Sequence, residues 1–174
     1  MAKEIDIRPW KMEDLNDLVK CANNPNIASN LTDKFPFPYG MKDGINFIKL
    51  TMEKDPPEIM AISYENKNVG TIGLHPMDDI YRMNAELGYW IAEPYWGMGI
   101  ASEAIVKMVK YGFETFELDR IFARPFGSNI ASQRVLEKAG FNLEAHFDNT
   151  LIKNGVLESQ LYYGIRKNNV LKNG

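Results

Sequence analysis

Polar and apolar residues alternate over Glu4-Ile5-Asp6-Ile7-Arg8, and this period of two predicts a first β-strand. From Met12 to Asn24 the period lengthens. Leu15, Leu18, Val19 and Ala22 recur at helical steps, and "NNPN" ends the run. "LTDKFPFPYG" follows no period; its Phe35, Phe37 and Tyr39 either pin the loop to the core or line a substrate entrance. A second helix is predicted over Met41–Lys54, with Ile45, Phe47, Ile48 and Met52 as its buried face. Ile59–Tyr64 and Val69–His75 then read as a hairpin turning at "ENKN", and Arg82–Ala92 as a further strand. Gly99–Phe116 gives the clearest helical stripe: Ile100, Ala104, Ile105, Met108, Val109, Gly112 and Phe116. "LDRIFARPF" is a short strand, and Asn129–Ala139 a helix, with Gly140 placed for a left-handed cap. Phe141–Ile152 and Leu157–Arg166 close the chain as a hairpin around "KNG".

The early strands are joined by short turns, which favours antiparallel pairing. One strand–helix–strand crossover, from Ala85 to Phe126, favours a locally parallel pair. The expectation is an α/β (α+β) protein: a mixed, mostly antiparallel sheet with helices on its faces. No repeat, low-complexity run or linker divides the chain, so residues 1–174 are expected to form a single domain.

Composition narrows the function classes. A chain with 45% hydrophobic and 25% charged residues can bury a core, and a net charge of -3 without a basic stripe gives no nucleic-acid footprint. The lone cysteine, Cys21, sits at helical spacing among apolar residues and reads as an inert thiol. His75 and His146 are far apart and lack partners at ligand spacing, so no metal is expected. The N-terminal stretch has no apolar run of the signal-peptide kind and no segment has membrane-spanning length, which makes a cytoplasmic location the default.

The chemistry concentrates in "EPYWGMGIASEA". A glycine-rich turn running into a helix N-terminus aims backbone N–H groups at one point, and the helix dipole adds partial positive charge. Gly97 and Gly99 supply such a turn, and Ala101 and Ser102 lie in the first turn of the helix. No lysine is present to meet a γ-phosphate, which argues against an NTPase. Asp119 lies at the spacing of a ribose-binding acid. Against a dinucleotide site, the loop comes mid-chain and Ser102 replaces the third glycine.

About 30 residues further on stands "GSNIASQRVLEKAGF". With this second motif the sequence resembles the GNAT N-acetyltransferase superfamily, most of all the branch of ribosomal-protein N-terminal acetyltransferases and spermidine acetyltransferases. The superfamily's pyrophosphate pattern, Gln/Arg-x-x-Gly-x-Gly/Ala, reads here as Trp96-Gly97-Met98-Gly99-Ile100-Ala101, with Trp96 departing at the first position. The resemblance implies acetyl-CoA as cofactor and a sheet of about seven strands that splays between the strand before the loop and the strand after its helix. It implies pantetheine pairing with backbone near Trp90, Ile91 and Ala92, pyrophosphate on the amides from Gly97 to Ser102, and a coenzyme A contact from Asn129.

Acetyl transfer to an amine requires a deprotonated nucleophile, a donor for the charge that develops on oxygen, and stabilisation of the leaving thiolate. The resemblance points to a backbone N–H near Tyr89 for the oxygen. The tyrosine that many relatives use for the thiolate aligns with Leu136, and the ribosomal-type branch has a serine where Ser132 stands. Asn129 also suits an N-cap. Glu86 is the first candidate for the base, on the expectation that an apolar cleft raises its pKa. Leu151 occupies the place of a carboxylate that some relatives use; Glu144, His146, Asp148, His75 and a water relay remain. The expected activity is transfer of acetyl to a primary amine by direct attack in a ternary complex, the acceptor being a protein N-terminus or a small amine. Alternatives are a polyamine or aminoglycoside acetyltransferase, a non-catalytic coenzyme A-binding module and, ranked lower, an NAD(P)-binding protein. Either a monomer or a homodimer fits.

Overall fold

A computed structural model describes residues 4–171; the extremities of the expected 1–174 domain, residues 1–3 and 172–174, lie outside the described residues. The strands are β1 Ile5–Pro9, β2 Ile59–Tyr64, β3 Lys67–Pro76, β4 Asn84–Ile91, β5 Arg120–Ala123, β6 Asn142–Lys153 and β7 Val156–Arg166. The helices are α1 Leu15–Ala22, α2 Pro25–Ala28, α3 Met41–Thr51, α4 Ile100–Thr115, α5 Ile130–Lys138 and α6 Lys167–Leu171. The sheet has seven strands in the order β1-β2-β3-β4-β5-β7-β6. The β1–β2, β2–β3, β5–β7 and β6–β7 ladders are antiparallel, and β4–β5, joined through α4, is parallel. That parallel ladder covers only Asn84↔Arg120 to Glu86↔Phe122, while β4 itself runs on to Ile91. The mixed sheet expected from the alternation of turns and one crossover is thus the observed one.

Both hairpin turns are tighter than their sequence signals. Glu65 and Asn66 have φ of 50° and 63°, and Asn154 and Gly155 of 52° and 75°. Two residues with positive φ make the turn whose twist matches the flanking strands, so β3 begins two residues earlier than expected. Gly140 has the left-handed φ (93°) expected after α5. Helix α2 went unforeseen, although Asn24 accepts from the Asn26 N–H and Pro25 fills the first helical position. Helix α3 stops at Thr51, which leaves Met52 exposed rather than buried. On α4 the buried aromatic is Phe113, with Phe116 past the helix end. Among the described residues no helix is long and apolar enough to cross a membrane.

Contacts group into two compact units. One is the chain up to Gly73 with Tyr89–Ala104; the other is Leu74–Gly88 with the chain from Ile105 onward. In the first, Trp10, Leu18, Ala22, Ile27, Tyr39, Ile48, Ala61 and Trp90 form the core, with Phe35 and Phe47 packed against it. Tyr39 therefore pins the irregular loop to the core, while Phe37 is exposed. The Arg8 guanidinium grips Asp14 through two 2.7 Å hydrogen bonds, and the Lys11 N–H adds a third at 3.0 Å. Burial works against the Asp14 carboxylate, but the hydrogen bonds from Arg8 and Lys11 outweigh it and hold the carboxyl below its ordinary range. Cys21 is half-buried with its Sγ 3.9 Å from the Asn68 carbonyl, and desolvation pushes the thiol up.

In the second unit α4 lies close over the sheet: a Cβ on Gly112 would meet the Leu74 side chain and stand 3.2 Å from Cδ1 of Ile121. Helix α5 is tied to β7 by the Tyr163 hydroxyl, which donates to Glu137 at 2.9 Å; burial first, then that carboxylate, pushes the Tyr163 phenol up to about 12.

Candidate functional site

The glycine-rich segment opens with a 3-10 turn, Glu93–Tyr95, and closes on α4. Gly97 and Gly99 have φ of 74° and 81°, a conformation that costs any residue with a Cβ. Nothing lies within 4 Å of where their Cβ atoms would be, so the space in front of the turn is open. Within α4 the first intrahelical bond is Glu103 N–H to the Gly99 carbonyl at 3.2 Å; the amides of Ile100, Ala101 and Ser102 come before it and have no residue four back in the helix to donate to. Met98 is exposed at the tip, Ile100 is buried as the anchor of the helix, and Ser102 is buried too. A left-handed turn, open space and first-turn amides without an acceptor inside the helix suit an anionic group such as a pyrophosphate.

Two side-chain bonds fix how the chain arrives at this turn. The Trp96 indole N–H donates to the Ile91 carbonyl at 2.7 Å, although the ring is 48% exposed. Glu93 accepts from Asn24 Nδ2 at 2.6 Å and from Asn26 Nδ2 at 3.0 Å; the Asn24 bond, then the Asn26 bond, holds its carboxyl below the usual range. The 3-10 turn is thereby tied to the N-terminus of α2. These bonds also bear on the strand stretch expected to pair with pantetheine. The Ile91 carbonyl already serves Trp96, and the Ala92 N–H donates to the Val69 carbonyl at 2.8 Å. Two of the groups expected to be available there are used by the protein itself. Trp90 is a core residue, and Tyr89 lies on β4 beyond the last β5 partner.

In the second unit, Asn129 caps α5: its Oδ1 accepts the Ser132 N–H at 3.1 Å. Ser132 lies in the first turn, partly exposed. Leu136 is completely buried, so the position aligned with the usual tyrosine is a core position here.

The environment expected for Glu86 differs from the one observed. Its side chain is not in an apolar cleft: it is 30% exposed, and both oxygens are held by Arg124, Nε at 2.8 Å and Nη2 at 2.7 Å. Arg124 stands 5.9 Å from the centre of the Tyr162 ring, which stacks with Phe122. The other acidic candidates are also paired. Glu144 binds Arg120, whose Nε lies at 3.0 Å, and Asp148 lies 3.1 Å from the His146 Nε2. His75 neighbours Gly88, at 3.7 Å from the position of its absent Cβ. Arg124 and Glu158 are the residues the sequence reading passed over. Arg124 lies just past the end of β5 and shares the parity of the buried Phe122, so alternation gave no signal for it. Glu158 had none either, because its partner Ser128 lies on a loop far away in sequence.

The sequence model for the acetyltransferase (GNAT) domain matches residues 4–142. The chain belongs to the GNAT acetyltransferase family. The GNAT match takes in the glycine turn and the whole of α5, and ends where β6 begins. YdaF of Bacillus subtilis, named provisionally as a ribosomal N-acetyltransferase, is 36% identical over 107 residues, 62% of this chain and 58% of YdaF. The chain thus spans little more than half the length of that curated GNAT relative. A GNAT-family acetyltransferase from Bacillus anthracis has the same fold, with a TM-score of 0.81 at 25% identity over 97% of this chain and 98% of that one. Spermidine N-acetyltransferase from Vibrio cholerae, solved with CoA and spermine, shares the fold at a TM-score of 0.80 and 24% identity, covering 96% of this chain and 98% of that one.

Proposed function

We propose that this chain is an acetyl-CoA-dependent N-acetyltransferase acting on a primary amine, either a protein N-terminus, as in the ribosomal-protein branch, or a small amine such as a polyamine. The observation that carries the reading is the left-handed turn at Gly97 and Gly99, open in front and followed by the first-turn amides of α4. The names of YdaF and of the spermidine enzyme support the two acceptor classes. A cytoplasmic setting fits either.

Bound acetyl-CoA supplies the acetyl group already activated as a thioester. The amides of Ile100, Ala101 and Ser102 hold the pyrophosphate without a cationic side chain. Asn129 caps α5 with its oxygen and offers its Nδ2 to coenzyme A. In this reading the Tyr89 backbone N–H would serve the oxygen that gains charge, and the Ser132 hydroxyl would serve the leaving sulfur. Glu86 holds Arg124 in place, and the amine proton leaves through water.

Differential scanning fluorimetry with coenzyme A and with NADP tests the cofactor, because a ligand of the native state raises the melting temperature by mass action. Stabilisation by coenzyme A alone is expected; stabilisation by NADP alone, or by neither, overturns the reading. Thiol release from acetyl-CoA over a panel of peptides with free N-termini and polyamines then identifies the acceptor. Ser132→Ala is expected to lower turnover at saturating acetyl-CoA, and unchanged turnover removes its role.

A further inference from the structure

The β6–β7 hairpin, which lies beyond the family match, reaches back to the start of α5. Phe126 forms a bridge with Gln160, the Gly127 N–H donates to the Ser159 carbonyl at 2.8 Å, and the Leu161 N–H donates to the Pro125 carbonyl at 3.1 Å. Pro125–Ser128 is laid along β7 so closely that a Cβ on Gly127 would come within 2.9 Å of the Ser159 Cβ. At the end of this seam one carboxylate collects three donors. Glu158 Oε1 accepts from the Ser128 N–H at 3.2 Å and the Ser159 N–H at 2.8 Å, and Oε2 accepts the Ser128 hydroxyl. The next residue is Asn129, the cap of α5. From inside the helix Gln133 Nε2 donates back to the carbonyls of Phe126 at 3.2 Å and Gly127 at 2.9 Å.

We propose that Glu158 is a positioning residue for coenzyme A: by fixing Ser128 it sets the start of α5, and with it the Asn129 side chain and the Ser132 hydroxyl. The assignment rests on the reading that Asn129 and Ser132 serve coenzyme A. A carboxylate suits the task because it offers acceptor sites to all three donors at once. The Ser128 hydroxyl first, and then the backbone N–H groups, hold the Glu158 carboxyl below its usual range, so the clasp stays charged at neutral pH. Glutamine keeps the carbonyl for the two N–H groups and turns its amide toward the Ser128 oxygen, whereas alanine leaves all three donors to water.

The test is calorimetric titration of coenzyme A into the full chain and its variants, with melting temperatures measured alongside. Glu158→Ala is expected to raise the dissociation constant about tenfold, a part of what the three contacts to the carboxylate contribute. Glu158→Gln is expected to recover most of that loss, and Ser128→Ala, which leaves β7 untouched, to raise the constant about threefold. Affinity unchanged in Glu158→Ala and Ser128→Ala while the wild type binds overturns the assignment. So does an equal affinity loss in Glu158→Ala and Glu158→Gln, since no rescue would remain to separate positioning from general damage. A wild-type chain that does not bind coenzyme A overturns instead the function on which the assignment rests.

Discussion

Replacing Gly70 with alanine tests whether the end of β4 is seated where the structure places it. Strand β3 carries an extra residue here: Ile62 pairs with Gly70 and Ser63 with Asn68, so Val69 bulges out of the ladder. The bulge aims the Val69 carbonyl at the Ala92 N–H, and the buried Asn68 side chain steadies it by accepting the Gly70 N–H at 3.1 Å. Gly70 then lies directly against β4. A Cβ there would fall well under 3.0 Å from the Trp90 carbonyl oxygen, and 3.2 Å from Cα and Cδ1 of Ile91. The nearest obstacle is backbone, which cannot swing aside, so the strand itself must move. Overpacking of this kind costs about 1–3 kcal/mol. For a chain of this size each kcal/mol is worth about 2–4 °C, which puts the expected fall in melting temperature at about 2–12 °C. Gly73→Ala is the matched control. Its nearest neighbour, Ile59 Cγ1 at 2.9 Å, belongs to a side chain, and the nearest backbone oxygen, of Glu58, is 3.4 Å away. Calorimetric melting of the two variants decides the matter. If Gly70→Ala melts within about 1 °C of the wild type, or Gly73→Ala falls further, the close seating of β4 on Gly70 is refuted.

Trp96→Phe keeps a ring but removes the N–H that holds the Ile91 carbonyl, a net loss of about 0.5–1.5 kcal/mol. If that bond organises the turn for its ligand, the calorimetric dissociation constant for coenzyme A rises about 2–12-fold; an unchanged value shows that the bond is incidental. Glu86→Gln is expected to leave the shape of the pH–rate profile as it is, because Glu86 is engaged by Arg124; loss of a rate-controlling ionisation would make Glu86 the base after all. Asp14 is depressed in the folded state, so its pairing with Arg8 stabilises the chain fully above the unfolded carboxyl value, about 3.9, and the contribution fades as pH falls through the lower folded value. The stability gap between wild type and Asp14→Asn in urea titrations is therefore expected to be flat near neutrality and to shrink below about pH 4; a gap that widens on acidification contradicts the pairing.

The strands, the crossover and the two hairpins were legible because each rests on local pattern: alternation for β1, a helical stripe for α4, turn residues at Asn66 and Gly155. What stayed hidden depends on register between segments distant in sequence. The Val69 bulge, the Arg124 grip on Glu86 and the Glu158 clasp each follow from which residue lies opposite which, and period-two patterning says nothing of that offset. Trp96 stands between these cases. As a letter in the glycine motif it departs from the glutamine or arginine of the family pattern. In the structure its indole N–H binds the last carbonyl of β4 while half of the ring remains exposed. Tryptophan has a single side-chain donor, and here that donor is spent within the protein. Its contribution to the turn is therefore positional: it ties the approach to Gly97 back to the end of β4. On this argument Trp96→Gln, whose amide can donate to the same carbonyl, should bind coenzyme A more nearly like the wild type than Trp96→Phe does. The reverse order would mean that the exposed ring, not the N–H, is what the turn requires.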